Sequence, residues 1–265
     1  MNLHRRCFDV IRVPPKTCKF ERMSYQEFTP HPLLQPYIVC YWSSKTDRSS
    51  AASNIFSDAC SDIIFSLGAD VAVTGGTLKH GHQYLVGIMT HFHQVQTPPE
   101  TYLLGIRFKP FGIYALLGIP LQGMADQTEA LTSSDFFFPE INPTATGVVQ
   151  KLDAYFLQRL NDKNRLVVSL SETILAVNGN ITVQHLATRH HITERQIERL
   201  FQSRAGATVK EVCKQVRFQS TLKKIEASPT ASFAQIAFEM GYYDHAHMLK
   251  DVKRYSGLTL SRIAS

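Results

Sequence analysis

The chain has 265 residues, of which 44% are hydrophobic and 19% charged, and its net charge is +6. This is enough apolar material for a packed core, which excludes general disorder. No apolar run approaches the roughly 18 residues that a membrane-spanning helix needs, and no long apolar stretch follows the arginines near the N-terminus, so neither a membrane span nor a secretory signal is expected.

The positive charge is concentrated at the two ends of the chain. Residues 1–22 carry six Lys or Arg and two acids, and residues 171–265 carry thirteen and eight, whereas residues 23–170 carry nine and twelve. A basic C-terminal block behind a slightly acidic middle is typical of a protein in which one domain meets phosphates and the other does not.

Residues 1–22 are basic, lack periodicity and contain Pro14-Pro15, so a poorly ordered extension is expected, with Met23 as an alternative start. The cysteine count is five, which is odd, and no CxxC pair occurs. Free thiols in a reducing cytosol are therefore expected.

From about Tyr37 to Lys109 the sequence is typical of β-structure. Runs rich in aromatic and β-branched residues predict strands over 37–42, 62–66 and 102–108. Turn residues such as Gly75-Gly76 separate them, and several short strands at close spacing favour a sandwich or small barrel. Phe111–Leu117 predicts a short helix, and residues 132–147 predict a loop.

After this loop the periodicity becomes helical. Apolar residues at i, i+3 and i+4 predict a helix from Val148 to Leu160, which Asn161–Asn164 interrupt. A second helix begins near Leu166 and ends near Asn178-Gly179-Asn180. We therefore expect an extension (1–22), a β-rich sensor or dimerisation domain (23–140), a linker with a helix (141–164) and an all-α domain (165–265).

An internal repeat organises the C-terminal region. Residues of similar type recur 50 residues later at two places: Ile236-Ala237 matches Leu186-Ala187, and Gly241-Tyr242 matches His191-Ile192. Two further residues recur 51 residues later: Val252 matches Phe201, and Gly257 matches Gly206. Six positions at an almost fixed offset indicate two copies of one supersecondary unit.

Each copy has the pattern of a helix-turn-helix. A small alanine stands where two helices approach closely, and the turn residue four positions later, His191 or Gly241, is one that tolerates a left-handed backbone. Thr193 and Asp244 follow as N-caps of the second helix. The expected buried stripes are Ile197, Leu200 and Phe201 in the first copy, and His247, Met248 and Val252 in the second.

Between the copies, apolar periodicity predicts one long helix from Val209 to Ala227, which stops before Pro229. Such a helix would hold two recognition helices at a fixed separation. Two recognition helices about one DNA turn apart, ~34 Å, enter successive major grooves on one face of the duplex.

These motifs resemble the DNA-binding domain of AraC/XylS regulators over roughly residues 165–265. The resemblance rests on four features that occur in the same order as in the family. They are the first unit, Arg217-Phe218 in the linking helix, the second unit, and Lys253 with Gly257. His191 stands where the family usually has a turn glycine, Met248 and Val252 where phenylalanine is common, and Leu260 where proline is frequent. The segments 58–65 and 107–112 similarly resemble the β-rich sensor regions of such regulators.

The resemblance and the exposed faces of the two recognition helices together identify candidate DNA contacts. On the first helix, arginine and glutamine can read guanine and adenine edges, while apolar residues of the second can pack on thymine methyls and its lysines can contact phosphates. The candidate residues are Thr193, Arg195, Gln196, Arg199, His245, Ala246, Leu249, Lys250 and Lys253.

A different class of function remains open for the β-rich region. His80 and His82, and likewise His91 and His93, are alternate residues that share one face of a strand and could chelate a metal, as in a cupin-like metalloenzyme. Neither pair has a convincing third ligand in the sequence, and no P-loop, GxSxG or GxGxxG occurs. We therefore expect no catalytic residues, no metal ligands and no cofactor.

The sequence thus predicts an α+β protein, in which a β-rich sandwich or small barrel is followed by an all-α domain with two helix-turn-helix units joined by a long helix. The expected function is that of a cytoplasmic bacterial transcription regulator under small-molecule control, and not an enzyme. Candidate partners are double-stranded DNA, a small-molecule effector, RNA polymerase and a second copy of the chain, with no membrane. A β-domain that only dimerises, with the helix from Val148 to Leu160 as its surface, remains an alternative, and effector, operator and direction of regulation stay open.

Overall fold

The computed structural model of the protein describes residues 23–47, 50–132, 138, 147–228 and 230–264. The predicted N-terminal extension and most of the predicted loop over 132–147 lie outside these residues. No helix in the described ranges is long and apolar enough to cross a membrane.

The first part of the described chain is β-rich, and all three predicted strands are present. The strand predicted over 37–42 begins one residue later and continues through Thr46, where it still pairs with Met23 of β1. The strands are β1 Met23–Phe28, β2 Ile38–Thr46, β3 Ala51–Ile55, β4 Ser61–Ser66, β5 Val71–Val73, β6 Gly76–Leu78, β7 Gln83–Val86, β8 His93–Thr97, β9 Tyr102–Phe108 and β10 Thr128–Leu131.

Six of these strands form one antiparallel sheet in the order β1-β2-β9-β4-β7-β10. The pairs β3-β8 and β5-β6 form two further ribbons. One face of the large sheet packs against these ribbons through Cys40, Trp42, Tyr84 and Leu103, which meet apolar residues of the ribbons. The arrangement is a small sandwich, one of the two predicted alternatives.

A buried cation lies inside this sandwich. Arg107 is 2% exposed, and its guanidinium lies 3.4 Å from Asp58 Oδ2, 3.5 Å from Asp62 Oδ1 and 3.9 Å from Glu27 Oε1. Trp42 Nε1 donates to Asp62 Oδ1 (2.7 Å), and the absence of a side chain at Gly105 lets the indole pack against β9. A charge this deep is tolerated only when paired, so the interior is filled by an ion cluster and a tryptophan.

The other face of the large sheet is covered by two helices. The short helix α1 (Gly112–Leu117) and the helix α2 (Val148–Leu157) are both as predicted, although α2 ends three residues earlier. Leu152 and Phe156 of α2 are fully buried, and the Phe156 ring lies 5.6 Å from that of Phe108 in β9. The apolar stripe of α2 therefore packs on the β-domain itself and is not a free dimerisation surface.

The rest of the described chain is helical, and the predicted long helix has the predicted bounds. After a short 3-10 turn over Asp162–Asn164, which is the predicted interruption, the helices follow one another as expected from the repeat. They are α3 Arg165–Ala176, α4 Val183–Arg189, α5 Glu194–Leu200, α6 Val209–Ala227, α7 Phe233–Glu239, α8 His245–Ser256 and α9 Leu260–Ala264. The predicted α+β fold class is confirmed.

The hydrophobic cores do not stop at the boundary between the two parts. One cluster joins Phe111 and Ile88 of the β-domain to Phe201 and to apolar residues of α3 and α6, and another joins Phe56 to Phe218 of α6. The rings of Phe111 and Phe201 are 4.6 Å apart and nearly perpendicular. The β-domain is thus packed directly against the helices that carry the repeat.

Candidate nucleic-acid interface

The two repeat copies form two helix-turn-helix units with the same local geometry. In the first, α4 and α5 are capped by Thr182 and Thr193, and in the second, α7 and α8 are capped by Ser232 and Asp244. Each capping side chain accepts from the backbone N–H three residues later, which satisfies a donor that a helix start leaves open. The predicted caps Thr193 and Asp244 are confirmed.

The turn positions also agree with the repeat. His191 has a φ of 54° and Gly241 a φ of 72°, so both adopt the left-handed backbone that the pattern required. The Gly241 turn is also crowded, because a Cβ there would lie 2.5 Å from Asn180 Nδ2.

Replacing Gly241 with alanine is expected to lower the free energy of unfolding by at least about 1–2 kcal/mol, because a residue with a Cβ pays that cost for a left-handed backbone and must also displace Asn180. His191→Gly at the equivalent position should be nearly neutral, within about 0.5 kcal/mol, because relief of the left-handed strain offsets the flexibility of glycine. Urea unfolding of the two variants measures both effects. If His191→Gly lost as much free energy of unfolding as Gly241→Ala, the two turns would differ in conformation.

The first recognition helix, α5, presents its polar face to solvent. Arg195, Glu198 and Arg199 are exposed, whereas Ile197 and Phe201 are buried, as predicted. Among the described residues, neither arginine side chain takes part in an ion pair. Two like charges four residues apart are mildly unfavourable alone, which suits a surface that meets an anionic partner.

Gln196 also helps to cap α5, a role that its sequence position alone did not indicate. Its Oε1 accepts from Thr193 N (2.8 Å) and from Thr193 Oγ1 (3.0 Å), while Thr193 Oγ1 accepts from Gln196 N. This is a capping box, which occupies the carbonyl end of the Gln196 carboxamide and leaves its NH₂ group outward. A base contact by Gln196 would be through these donors.

The second recognition helix, α8, is exposed at the predicted positions. His245, Ala246 and Lys250 lie on its solvent face together with Leu249, which is 36% exposed and thus not part of the core. Lys253 is also exposed, but its Nζ donates to Gly257 O (2.9 Å) at the end of the helix. Met248 and Val252 form the buried stripe, while His247 is only half-buried.

One exposed aromatic residue at this surface was not among the predicted contacts. Tyr243 immediately precedes the Asp244 cap and is 93% exposed. The first copy has no residue equivalent to Tyr243. Ile192 and its match Tyr242 are 50 residues apart, whereas Thr193 and its match Asp244 are 51 residues apart. That change of offset is the signal that could have identified it.

Helix α6 holds the second unit in place through Arg217. The guanidinium lies over the ring of Tyr242 (4.7 Å), donates to Gly241 O (3.3 Å) and lies 4.0 Å from Asp251 Oδ2. Burial raises the pKa of the Asp251 carboxyl despite the nearby positive charges, and it raises the pKa of Tyr242 to about 12. Arg217 therefore positions the turn rather than reading DNA.

The β-domain makes polar contacts with α6 through two buried glutamines. Gln215 accepts from Ala59 N (2.7 Å) and donates to Met89 O (2.9 Å), and Gln219 donates to Ser57 O (2.6 Å). The two carboxamides thus provide hydrogen-bond partners for backbone groups of these loops. The loops of the β-domain are thus fixed to the helix that joins the two units.

A second set of contacts reaches α8. Ser57 N donates to Tyr255 O (3.0 Å), Phe92 N donates to Arg254 O (3.2 Å), and Arg254 Nε donates to Thr90 O (3.0 Å). These bonds lie at the end of α8 away from its cap. A displacement of the β-domain loops would therefore act directly on the second recognition helix.

The two histidine pairs have different surroundings. His80 and His82 are exposed, and one ring nitrogen of each lies against a backbone carbonyl. His91 and His93, in contrast, meet Asp126, and their ligand atoms all lie within 4.8 Å of one another. Within the described ranges only this second pair has a third ligand-forming side chain.

A cavity of about 800 Å³ lies on the helical side of the large sheet, between β1, β2, β9 and the start of α2. Phe28, Val148 and Val149 contribute apolar surface, and Lys45 and Glu27 contribute charge. Trp42 points to the opposite face, so it does not line this cavity. Trp42 and Arg107 are buried on that opposite side, between the large sheet and the ribbons.

Two family descriptions match the chain. Residues 26–130 match a domain of unknown function, DUF6597, and residues 186–265 match the family described as a helix-turn-helix domain. The second match begins within α4 and continues through α5, α6 and the second unit. No curated protein matches the chain.

Several solved structures align with this chain at low sequence identity. ToxT from Vibrio cholerae aligns over 92% of this chain and 98% of its own, with 10% identity and a TM-score of 0.48. ToxT bound to an unsaturated fatty acid aligns over 92% and 95%, with 10% identity and a TM-score of 0.41. Ectoine synthase from P. lautus aligns over 56% of this chain, with 8% identity and a TM-score of 0.27.

Proposed function

Residues 186–265 belong to the AraC type of helix-turn-helix domain, and from this premise we propose that the protein is a sequence-specific regulator of transcription in the bacterial cytoplasm. Its DNA partner is contacted by both units. The β-domain is the regulatory part, and the division between the two parts lies near residue 164, where α3 begins.

The observation that carries this proposal is the pair of matched recognition helices on one basic domain. Both α5 and α8 have polar faces that nothing in the described chain covers, and both are tied to the same helix α6. Two recognition helices in a fixed relation can read two successive segments of one duplex.

The two helices have different tasks in this proposal. Arg195 and Arg199 carry forked donors that discriminate guanine edges, and the outward NH₂ group of Gln196 adds a further donor. On α8, Ala246 and Leu249 pack on thymine methyls, while Lys250 contacts phosphate. Lys253 also contacts phosphate, but one N–H of its ammonium group already donates to Gly257 O, so only its other donors are available.

Lys250→Ala is expected to weaken binding to all sequences about equally and to lower the slope of log Kobs against log salt by about one unit, because one phosphate contact is lost. Fluorescence anisotropy at several salt concentrations measures this slope. Lys253→Ala is the matched control and should change it less, since its ammonium already bonds to the helix end. A change in base preference in Lys250→Ala would contradict the assignment.

Small-molecule control is proposed to act through the cavity between the sheet and α2. Its apolar walls and its charged groups suit a small amphipathic ligand, and its size is within the usual range for ligand sites. Lys45 at the cavity lies 4.1 Å from the centroid of the Tyr102 ring, which places a cation beside an aromatic surface. Ligand contact with β9 would act on β4, which pairs with β9 and follows the loop whose Ser57 and Ala59 are bonded to α6 and α8.

Filling this cavity is expected to abolish the response to an effector. Compounds that raise the melting temperature of the wild-type protein should have no effect on Ser43→Trp, because the indole would occupy the space that a ligand needs. Ser261→Trp, on the exposed surface of α9, is the control and should respond normally. A compound that stabilises Ser43→Trp as well as wild type would place the effector site elsewhere.

RNA polymerase and a second copy of the chain complete the proposed set of partners. The stripe of α2 that could have supplied a dimer surface is buried within the β-domain. Sedimentation of the protein with and without DNA tests whether a second copy joins on the operator.

A further inference from the structure

Three metal-ligating side chains meet where the β-domain touches the second helix-turn-helix unit. Asp126 Oδ1 lies 3.6 Å from His91 Nδ1 and 3.5 Å from His93 Nε2, and the two imidazole rings are 4.9 Å apart. His91 precedes β8, His93 begins it, and Asp126 lies just before β10. The fold thus brings together residues that are 33 positions apart.

These distances are close to those of ligands that share one ion. Two atoms bound to a first-row metal at ~2.1 Å are separated by roughly 3.0–3.4 Å in tetrahedral or octahedral geometry. Two imidazoles and one carboxylate on one side of an ion are a familiar donor set for divalent transition metals, with further positions left for water. Since His91 is half-exposed, an ion can enter from solvent.

An unsatisfied polar atom points to the same conclusion. His93 Nε2 is buried and has no hydrogen-bond partner within the described structure, although the atom faces Asp126. A buried nitrogen without a partner is costly, and an ion would supply one.

The carboxylate is held in place by a second layer of contacts. Asp126 Oδ1 accepts from Thr90 N (2.7 Å), and Asp126 Oδ2 accepts from Thr90 Oγ1 (2.6 Å). The backbone of Asp126 has a φ of 58° and its N–H donates to Ile88 O (2.9 Å). Hydrogen bonds that orient a ligating carboxylate are a regular feature of metal sites.

We propose that His91, His93 and Asp126 bind a divalent transition-metal ion, and that the ion fastens the β-domain to the end of α8. This replaces the expectation from sequence that the chain has no metal ligands.

The second half of the proposal follows from Phe92, which lies between the two histidines. Its N–H donates to Arg254 O, and its ring packs against Gly257 so closely that a Cβ there would lie 2.5 Å from Phe92 Cε2. Thr90, which orients Asp126, accepts from Arg254 Nε through its carbonyl. An ion that fixes residues 90–93 therefore also fixes the contacts of this segment with α8.

The direct test is metal binding by the untagged full-length protein after chelator treatment. Co²⁺ is titrated while its visible absorption is followed, and the bound ion is counted after equilibrium dialysis. Wild type should bind one equivalent. His91→Ala and Asp126→Asn should bind at least about tenfold more weakly, because each removes a ligand.

His82→Ala is the matched control, since it removes an exposed histidine from the other alternate pair and should bind like wild type. His91 is half-exposed, so His91→Ala should keep the circular dichroism spectrum of the wild type even if Asp126→Asn does not fold. Absence of binding in the wild type, or undiminished binding in His91→Ala, would overturn the site.

Hydrogen exchange tests the connection to α8 without DNA. Saturating Zn²⁺ should slow exchange of the Phe92 amide by about tenfold or more in wild type and leave it unchanged in His91→Ala. Binding of one ion with no change at Phe92 would overturn the proposed fastening to α8.

Discussion

Arg199→Ala is expected to weaken binding to the preferred DNA site by about 1–3 kcal/mol and to relax base preference at one or two positions. Arg199 is exposed on α5, two residues after the buried Ile197, so its forked donors face away from the core. A fork of donors discriminates base edges in the major groove, and alanine cannot replace it. Binding to the preferred site and to its single-base variants measures both effects.

Arg165→Ala is the charge-matched control for this substitution. Arg165 is 81% exposed, begins α3 and lies outside both helix-turn-helix units. It should lose little affinity and no base preference. An Arg199→Ala protein with unchanged base preference would show that sequence reading has been assigned to the wrong helix or the wrong face.

Phe201→Ala should lower the free energy of unfolding by about 3–5 kcal/mol, because it empties a fully buried site. The same substitution at Phe238, which is 85% exposed, should change stability by less than about 0.5 kcal/mol. Denaturant unfolding of the full-length protein compares them directly.

Phe201 also reports on whether the two parts of the chain are packed together in solution. Its ring contacts Phe111 of the β-domain, so Phe111→Ala and Phe201→Ala should be coupled by about 0.5–1.5 kcal/mol in a double-mutant cycle. Additive effects would mean that the contact is not formed in solution.

Local features of the fold were predictable because local chemistry decides them. The bounds of α6 follow from apolar periodicity and the proline after it, and the caps at Thr193 and Asp244 follow from the repeat. The left-handed turn at His191 followed from its alignment with Gly241, although histidine is an uncommon residue there.

Contacts between distant segments were not predictable in the same way. The sequence shows His91 and His93, but the approach of Asp126 depends on how β7, β8 and β10 are arranged. Gln215 and Gln219 fit the α6 pattern as polar residues, yet they are buried because β-domain loops cover them. Arg107 is buried inside the sandwich because its acidic partners come from two distant segments, Glu27 in β1 and Asp58 and Asp62 around the start of β4.

The central claim is that two helix-turn-helix units of this chain read DNA sequence together, and selection of bound sequences from a random DNA pool by the full-length protein tests it most directly. We expect enrichment of a site with two short conserved elements whose centres are about 10 base pairs apart, one for each recognition helix. Arg199→Ala should degrade only one of the two elements. A pool that shows no enriched sequence after selection, although the folded protein retains DNA in a salt-dependent manner, would contradict the claim.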